Sequence, residues 1–364
     1  MKENQSFASV LLGWFDANGR ELPWRETRDP YAIWLSEVIL QQTRIQQGRD
    51  YWERFMQRFP KVEELAAAEE DEVLRLWQGL GYYSRARNLH TAARQIVEQG
   101  GFPQTFEEIR KLKGVGDYTA AAIGSIAFGL PVAVVDGNVY RVLARYFGID
   151  TPINSTNGKK LFAALAQELL PKGNASSFNQ AMMDFGAIQC TPLSPRCLLC
   201  PLSESCEALR SGRVEQLPVK LKTVKVKTRR MDYVYVRCKG ETAIRRRPAG
   251  DIWQGLWEPL LIEEGGRRPH PDLPKGREKE GKKAWNKQGR LTLLSKDVKH
   301  VLTHRIILSD FYLWECEEKP ELPEGYRWIA EDELENFAVP RLIELLMERV
   351  NFWSSENNQA CLNC

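Results

Sequence analysis

With 364 residues, 43% of them hydrophobic and 27% charged, the chain holds material for two or three globular domains and lacks the bias of a disordered polymer. A formal net charge of +3 is too small to announce a nucleic-acid partner by itself. The uncharged run from Ala120 to Val135 contains Pro131 and falls short of the ~20 residues a membrane span needs, and the amphipathic start after Met1 shows no small-residue cleavage site. A membrane or secreted protein is not expected; a cytoplasmic one is.

From the amino terminus, apolar residues recur at helical spacing. Phe7, Val10, Leu11, Trp14 and Phe15 form the first stripe. Val73, Leu74 and Trp77 form the next, followed by Leu161, Phe162, Leu165 and Leu169, and by Phe178, Met182, Phe185 and Ile188. Short joints such as Arg58-Phe59-Pro60 and Gly100-Gly101-Phe102-Pro103 separate them. Residues 1–212 are expected to form an all-α domain.

The segment 213–228 is expected to be a basic linker, because seven Lys or Arg and one Glu fall between Arg213 and Arg230. Residues 229–364 are expected to form an α+β domain. Tyr233-Val234-Tyr235-Val236 and Ile306 to Trp314 have strand composition. Glu263 to Arg290 is rich in Gly, Pro, Lys and Arg and predicts a long loop. The acidic run Glu331 to Glu335 and the stripe Leu342, Leu345, Leu346 predict a helical end.

Four of the eight cysteines, Cys190, Cys197, Cys200 and Cys206, share one loop with the spacing C-x6-C-x2-C-x5-C. A disulfide framework would spread its cysteines through the fold, so the cluster points to metal in a reducing compartment. Structural zinc sites usually pair two short knuckles across a longer spacer. One C-x2-C flanked by single cysteines instead suits four thiolates around an iron–sulfur cubane. Cys361 and Cys364 lack a second pair and predict no site.

Leu112-Lys113-Gly114-Val115-Gly116-Asp117-Tyr118-Thr119 precedes an Ala-rich helical stretch. Gly114 and Gly116 would let backbone amides approach a phosphate at the following helix terminus, the way a helix-hairpin-helix grips DNA without reading sequence. Together with Val135-Asp136-Gly137-Asn138 and the cysteine loop, in that order, this resembles the endonuclease III superfamily of base-excision DNA glycosylases. Leu22-Pro23-Trp24-Arg25, Ser36-Glu37-Val38-Ile39-Leu40-Gln41-Gln42-Thr43 and Gly79-Leu80-Gly81-Tyr82-Tyr83-Ser84-Arg85 resemble, within it, the MutY family of adenine glycosylases. The match covers nearly all of residues 6 to 220. Ile244 to Arg247 and Asp251 to Glu258 resemble that family's MutT-like, Nudix-fold domain. Arg277-Glu278-Lys279-Glu280-Gly281 does not supply the metal-binding helix of a Nudix hydrolase, so a recognition module is expected there.

The resemblance implies a monomeric, monofunctional enzyme with a [4Fe–4S] cluster that removes adenine mispaired with 8-oxoguanine or guanine in duplex DNA. Carried over residue by residue, Glu37 is the general acid, Asp136 stabilises the oxocarbenium ion, and Tyr118 and Asn138 complete the catalytic set. By pattern alone Glu37 would sit on a solvated face with Gln41 and Arg44, and Asp136 would be a helix N-cap. Trp24, Arg25 and Gln180 match residues around an extruded base; Gln42 and Tyr82 match those entering the helix beside its partner, and Thr43 and Leu80 join the DNA-binding set. Thr303 and His304 occupy the place of a damage-reading loop, with Leu302 where the family has an aromatic residue. Tyr118 stands where backbone-cutting relatives carry a Schiff-base lysine. An endonuclease III-like glycosylase with lyase activity, or a cluster protein that binds DNA without catalysis, are the alternatives.

Overall fold

The computed structural model describes residues 2–221, 226–263 and 289–362. The chain packs as two compact units: Met1–Ala67 with Asn88–Thr223, and Ala68–Arg87 with Val224–Cys364. The Val73, Leu74 and Trp77 stripe therefore groups with the C-terminal unit, although in sequence it lies inside the helical half. Lys222 to Lys225 of the linker and most of the Glu263–Arg290 stretch, Arg277 to Gly281 included, lie outside the described residues, as do the side chains of Cys361 and Cys364.

The first unit is helical. Phe7 and Leu11 of α1 (Lys2–Asn18) pack with Val139, Val142 and Leu143 of α9 (Gly137–Tyr146), Phe162 of α10 (Thr156–Leu169), and Phe178 and Met182 of α11 (Ala175–Asp184). Leu161 departs from its predicted stripe and faces solvent at 42% exposure, while Phe162 beside it is fully buried. The last stripe also changes character at its end. Past Asp184 the chain loosens into a π-helical turn, Phe185–Gln189, that delivers Cys190.

A different logic governs α2 (Pro30–Leu40). Asp29 caps it by accepting from the Tyr31 amide, and Pro30 occupies its first turn. Every residue from Tyr31 to Ile39 is buried, so this helix is central rather than amphipathic. Against it lies α8 (Asp117–Phe128), with Ile33, Ala121, Ala122 and Ile126 in one cluster. The short α7 (Phe106–Ile109) and the turn through Gly114 and Gly116 lead into α8. Gly114 needs to be glycine twice over: its φ is +77°, and a Cβ there would fall 2.7 Å from Asn88 Cβ.

The second unit is built on a mixed sheet. The expected strands are present as β1 (Lys227–Cys238) and β6 (Arg305–Cys316), which pair in parallel. With β2 (Glu241–Arg246), β3 (Trp257–Glu258) and β5 (Gly289–Val301), the order is β3-β2-β1-β6-β5; β4 (Leu260–Glu263) pairs with β1 and β7 (Tyr326–Ala330) with β2. Both faces of β1 are buried. Tyr233 and Tyr235 join one cluster with Leu342 and Leu346 of the helix Arg341–Leu362, and Val234 and Val236 join the other. Two expectations shift: Gly289 and Arg290 begin β5 instead of ending a loop, and Lys227 and Thr228 already belong to β1. The acidic run Glu331–Asn336 is a 3-10 turn.

Candidate active site

The first unit contains an open-mouthed cavity of about 300 Å³, at the small end of ligand pockets. Its lining includes Trp24, Arg25, Glu37, Thr43, Tyr118, Asp136, Asn138 and Gln180, residues spread over more than 150 positions of chain. The turn Pro23–Arg25 brings Trp24, packed edge-on against Trp52 with ring centroids 5.7 Å apart. The polar-face reading of Glu37 does not hold. Because α2 is buried all round, Glu37 is only 8% exposed, and its charge faces the cavity rather than bulk water.

Tyr118, in the first turn of α8, donates a 2.6 Å hydrogen bond to Glu37 Oε2. Burial pushes the Glu37 carboxyl above its ordinary range; the Tyr118 hydrogen bond pulls it down, and nearby Asp136 pushes it further up. Tyr118 is held well above pH 10 by burial and by both carboxylates, so it remains a neutral donor.

Asp136 is indeed an N-cap, as its local pattern suggests, and it also faces the cavity. Its Oδ1 accepts from the amides of Asn138 and Val139 at 2.9 and 2.8 Å, while Oδ2 accepts from Asn138 Nδ2 at 2.7 Å. Burial raises its pKa and these donors oppose the rise. Asn138 Oδ1 in turn accepts from Arg141 at 2.8 Å, and the same guanidinium donates to the carbonyls of Gly186 and Cys190. A Cβ at Gly186 would lie 2.5 Å from Asn138 Cβ, so the π turn can approach Asn138 only as glycine.

Sequence reasoning missed Asp184, Arg20, Ser36 and Met183. Arg20, Ser36 and Met183 line the cavity. Asp184 is fully buried behind Arg25 and accepts from both its terminal nitrogens at 2.8 Å, and from the Arg20 backbone and side chain. Burial opposes its charge, but the hydrogen bonds from Arg25 and Arg20 outweigh it and hold the carboxyl below its usual range. The only sequence signal for it was an acidic residue within an apolar stripe.

Other expected site residues are not among the lining of this cavity. Gln42 follows the end of α2 at φ +58°, and Gly114 and Gly116 lie at the start of α8. Leu80, Tyr82, Thr303 and His304 all belong to the second unit. There Tyr82, at φ +46° and 45% exposed, hydrogen-bonds through its phenol to the Thr303 hydroxyl.

Cys190, Cys197, Cys200 and Cys206 line one cavity of about 30 Å³ together with Arg145. None of the four is in a disulfide, and all are half-buried. Cys190 closes the π turn, Cys197 opens and Cys200 closes a 3-10 turn, and Cys206 precedes the short helix Glu207–Arg210. Burial and the neighbouring sulfurs raise Cys197, Cys200 and Cys206, with Cys200 at about 11. Arg145 donates to Cys190 Sγ at 3.4 Å. Among the described residues no three His, Cys, Asp or Glu side chains close around a point that one metal ion would fill. Four soft donors around a common cavity fit a multinuclear group that would supply the charge needed to ionise them.

Residues 35–172 match the model of the HhH-GPD superfamily of base excision DNA repair proteins, and residues 232–349 match a NUDIX domain. Adenine DNA glycosylase of Buchnera aphidicola subsp. Schizaphis graminum is 35% identical over 69% of this chain and 73% of its own length. The chain belongs to the adenine DNA glycosylase family, an enzyme family of base-excision DNA repair. The mouse family member is 45% identical over 58% of this chain, but that match spans only 44% of the mouse protein. The Schizosaccharomyces pombe member aligns over 93% of this chain and 88% of its own at 29% identity. Among solved structures, a thermostable thymine-DNA glycosylase superposes with a TM-score of 0.54 at 33% identity, covering 58% of this chain and 98% of its own. A trapped endonuclease III–DNA complex superposes with a TM-score of 0.51 at 23% identity over the same share of this chain and 97% of its own, and shows the same fold.

Proposed function

We propose that this family member removes adenine from mispairs with 8-oxoguanine and with guanine in duplex DNA by hydrolysing the N-glycosidic bond. The supporting observation is the Glu37–Tyr118 pair lining one cavity with Asp136, with the carboxyl of Glu37 raised by burial. Adenine leaves a sugar readily once a ring nitrogen is protonated. The extruded base would enter among Trp24, Arg25 and Gln180. Glu37 gives its proton to N7, the glycosidic electron pair passes to the departing adenine, and the cation left at C1′ is stabilised by ionised Asp136, oriented by Asn138. Glu37, now a carboxylate steadied by the Tyr118 hydroxyl, takes a proton from the water that adds to C1′.

On the same reading, residues 1–212 hold the chemistry, 213–228 link, and 229–364 read the damaged partner base through Thr303 and His304. Gly114 and Gly116 hold phosphate, and Gln42, Thr43, Leu80 and Tyr82 support the opposite strand after extrusion. The four cysteines would hold a [4Fe–4S] cluster that organises the loop from Cys190 to Cys206 for DNA binding. The enzyme acts as a monomer in the cytoplasm. Tyr118 cannot form an imine, which favours hydrolysis over the lyase alternative. Incubation with an A:8-oxoguanine duplex tests the proposal: strands cut only after hot alkali support it, strands cut without alkali favour the lyase, and intact strands after alkali favour a non-catalytic binder.

A further inference from the structure

Asp136 reaches the cavity at the end of a segment, Pro131 to Val135, that belongs to no helix and pairs with no strand among the described residues. Val134 is 1% exposed, so its amide needs a partner that water cannot supply. Two carboxamides take the place of missing strands. Asn179, on α11, accepts from the Val134 amide at 3.0 Å and donates to the Val132 carbonyl at 2.9 Å. Gln167, on α10, accepts from the Ala133 amide at 3.0 Å and donates to the Pro131 carbonyl at 2.9 Å. Asn179 thus holds backbone groups of Val132 and Val134, and Gln167 holds those of the alternate residues Pro131 and Ala133.

The two grips differ in strength. Gln167 is exposed, whereas Asn179 is 1% exposed. Asn179 also donates to the fully buried Ser125 hydroxyl at 2.9 Å, and Ser125 donates to the Ala121 carbonyl at 2.7 Å. Ser125 lies on α8, the helix that presents Tyr118. Both amide hydrogens of Asn179 and its carbonyl are therefore engaged, fixing the segment two residues before Asp136 to the helix carrying Tyr118.

We propose that Asn179 is a positioning residue for the reaction, setting Asp136 relative to Tyr118 and Glu37, with Gln167 as the weaker half of the same clamp. The inference rests on the role proposed for Asp136. Misplacement of a reacting group by about 1 Å costs on the order of 100-fold in rate. Asn179→Leu should therefore lower the single-turnover rate on an A:8-oxoguanine duplex by about 10- to 100-fold. Its affinity for a duplex carrying non-hydrolysable 2′-fluoro-2′-deoxyadenosine should stay within about threefold of wild type, and Gln167→Ala should stay within about threefold in both.

Asn179→Asp supplies a readout that a general loss of packing would not move. Its protonated carboxyl offers one donor and one acceptor, as the segment requires; its carboxylate offers acceptors alone and faces the Val132 carbonyl. The ratio of variant to wild-type rate should fall as pH rises from about 6 to about 9 and recover on return. A pH-independent ratio, or equal losses of rate and affinity in Asn179→Leu, overturns the inference. Asp136→Asn, run alongside, separates the two levels. An inactive Asp136→Asn with wild-type rates across the Asn179 series overturns the positioning role alone, and an active Asp136→Asn overturns the reading on which it rests.

Discussion

The phenol of Tyr118 stands 2.6 Å from Glu37 Oε2, joining the first turn of one helix to the middle of another 81 positions away. A neutral donor on a buried carboxyl gives Glu37 a definite partner in both of its charge states. Glu37 can hold a proton because burial raises its pKa, and can release it because the Tyr118 bond stabilises the carboxylate.

The direction of that balance predicts a shift in pH dependence. The Tyr118 bond lowers the Glu37 pKa, so Tyr118→Phe raises it. On the proposed mechanism excision requires protonated Glu37 and declines as pH rises through its pKa. The alkaline limb of the single-turnover profile in Tyr118→Phe should therefore move to higher pH, even as the maximal rate falls. A limb that stays in place or moves to lower pH would remove the coupling.

Stability carries the same signature. The native Glu37 pKa lies above the ordinary value of 4.5, so this group favours folding below the unfolded pKa and loses that contribution as pH rises through the native one. Glu37→Gln should gain thermal stability relative to wild type as pH is raised from about 4 to about 9. Melting curves in which the difference stays constant across that range would place Glu37 in water.

Tyr118→Lys should introduce an amine that can attack C1′. Borohydride should then trap a covalent protein–DNA complex that the wild type does not form. Failure to trap any complex would argue that position 118 does not face the sugar.

Much of this site could be read from short motifs, and little of it from periodicity. Glu37 looks like a surface residue by spacing because α2 is apolar on every side, which leaves no stripe to mark its inner face. Asp184 showed only as an acidic residue within an apolar stripe, because its partners Arg20 and Arg25 lie more than 150 positions away. The strands β1 and β6 were legible from their Val, Ile and aromatic content. β5 was not, since irregularities between Leu293 and Ser295 and between Ser295 and Val298 break its alternation. The clamp on Pro131 to Val134 leaves no local trace, because both of its carboxamides come from later helices.

In the cysteine loop, burial raises the thiols of Cys197, Cys200 and Cys206, so these sulfurs must give up protons when they ligate a metal group. The purified wild type should be brown, with iron and sulfide. Cys200→Ser should lose the colour and bind DNA more weakly while helix content is largely retained. A colourless wild type containing zinc would overturn the cluster.

Thr303 can accept from N7–H of 8-oxoguanine or donate to N7 of guanine, a difference within the ~1–3 kcal/mol of one base contact. Thr303→Ala combined with His304→Ala should slow excision opposite 8-oxoguanine and leave excision opposite guanine nearly unchanged. Equal losses on both substrates would move damage reading elsewhere, Tyr82 being the nearest alternative.

The most direct test compares wild type and Glu37→Gln on one A:8-oxoguanine duplex, measuring adenine release under single turnover and affinity in the same buffer. Loss of the general acid should lower release by at least about 100-fold, because the amide cannot protonate the base, with DNA affinity retained. Release of adenine by Glu37→Gln at the wild-type rate would contradict general-acid catalysis by Glu37.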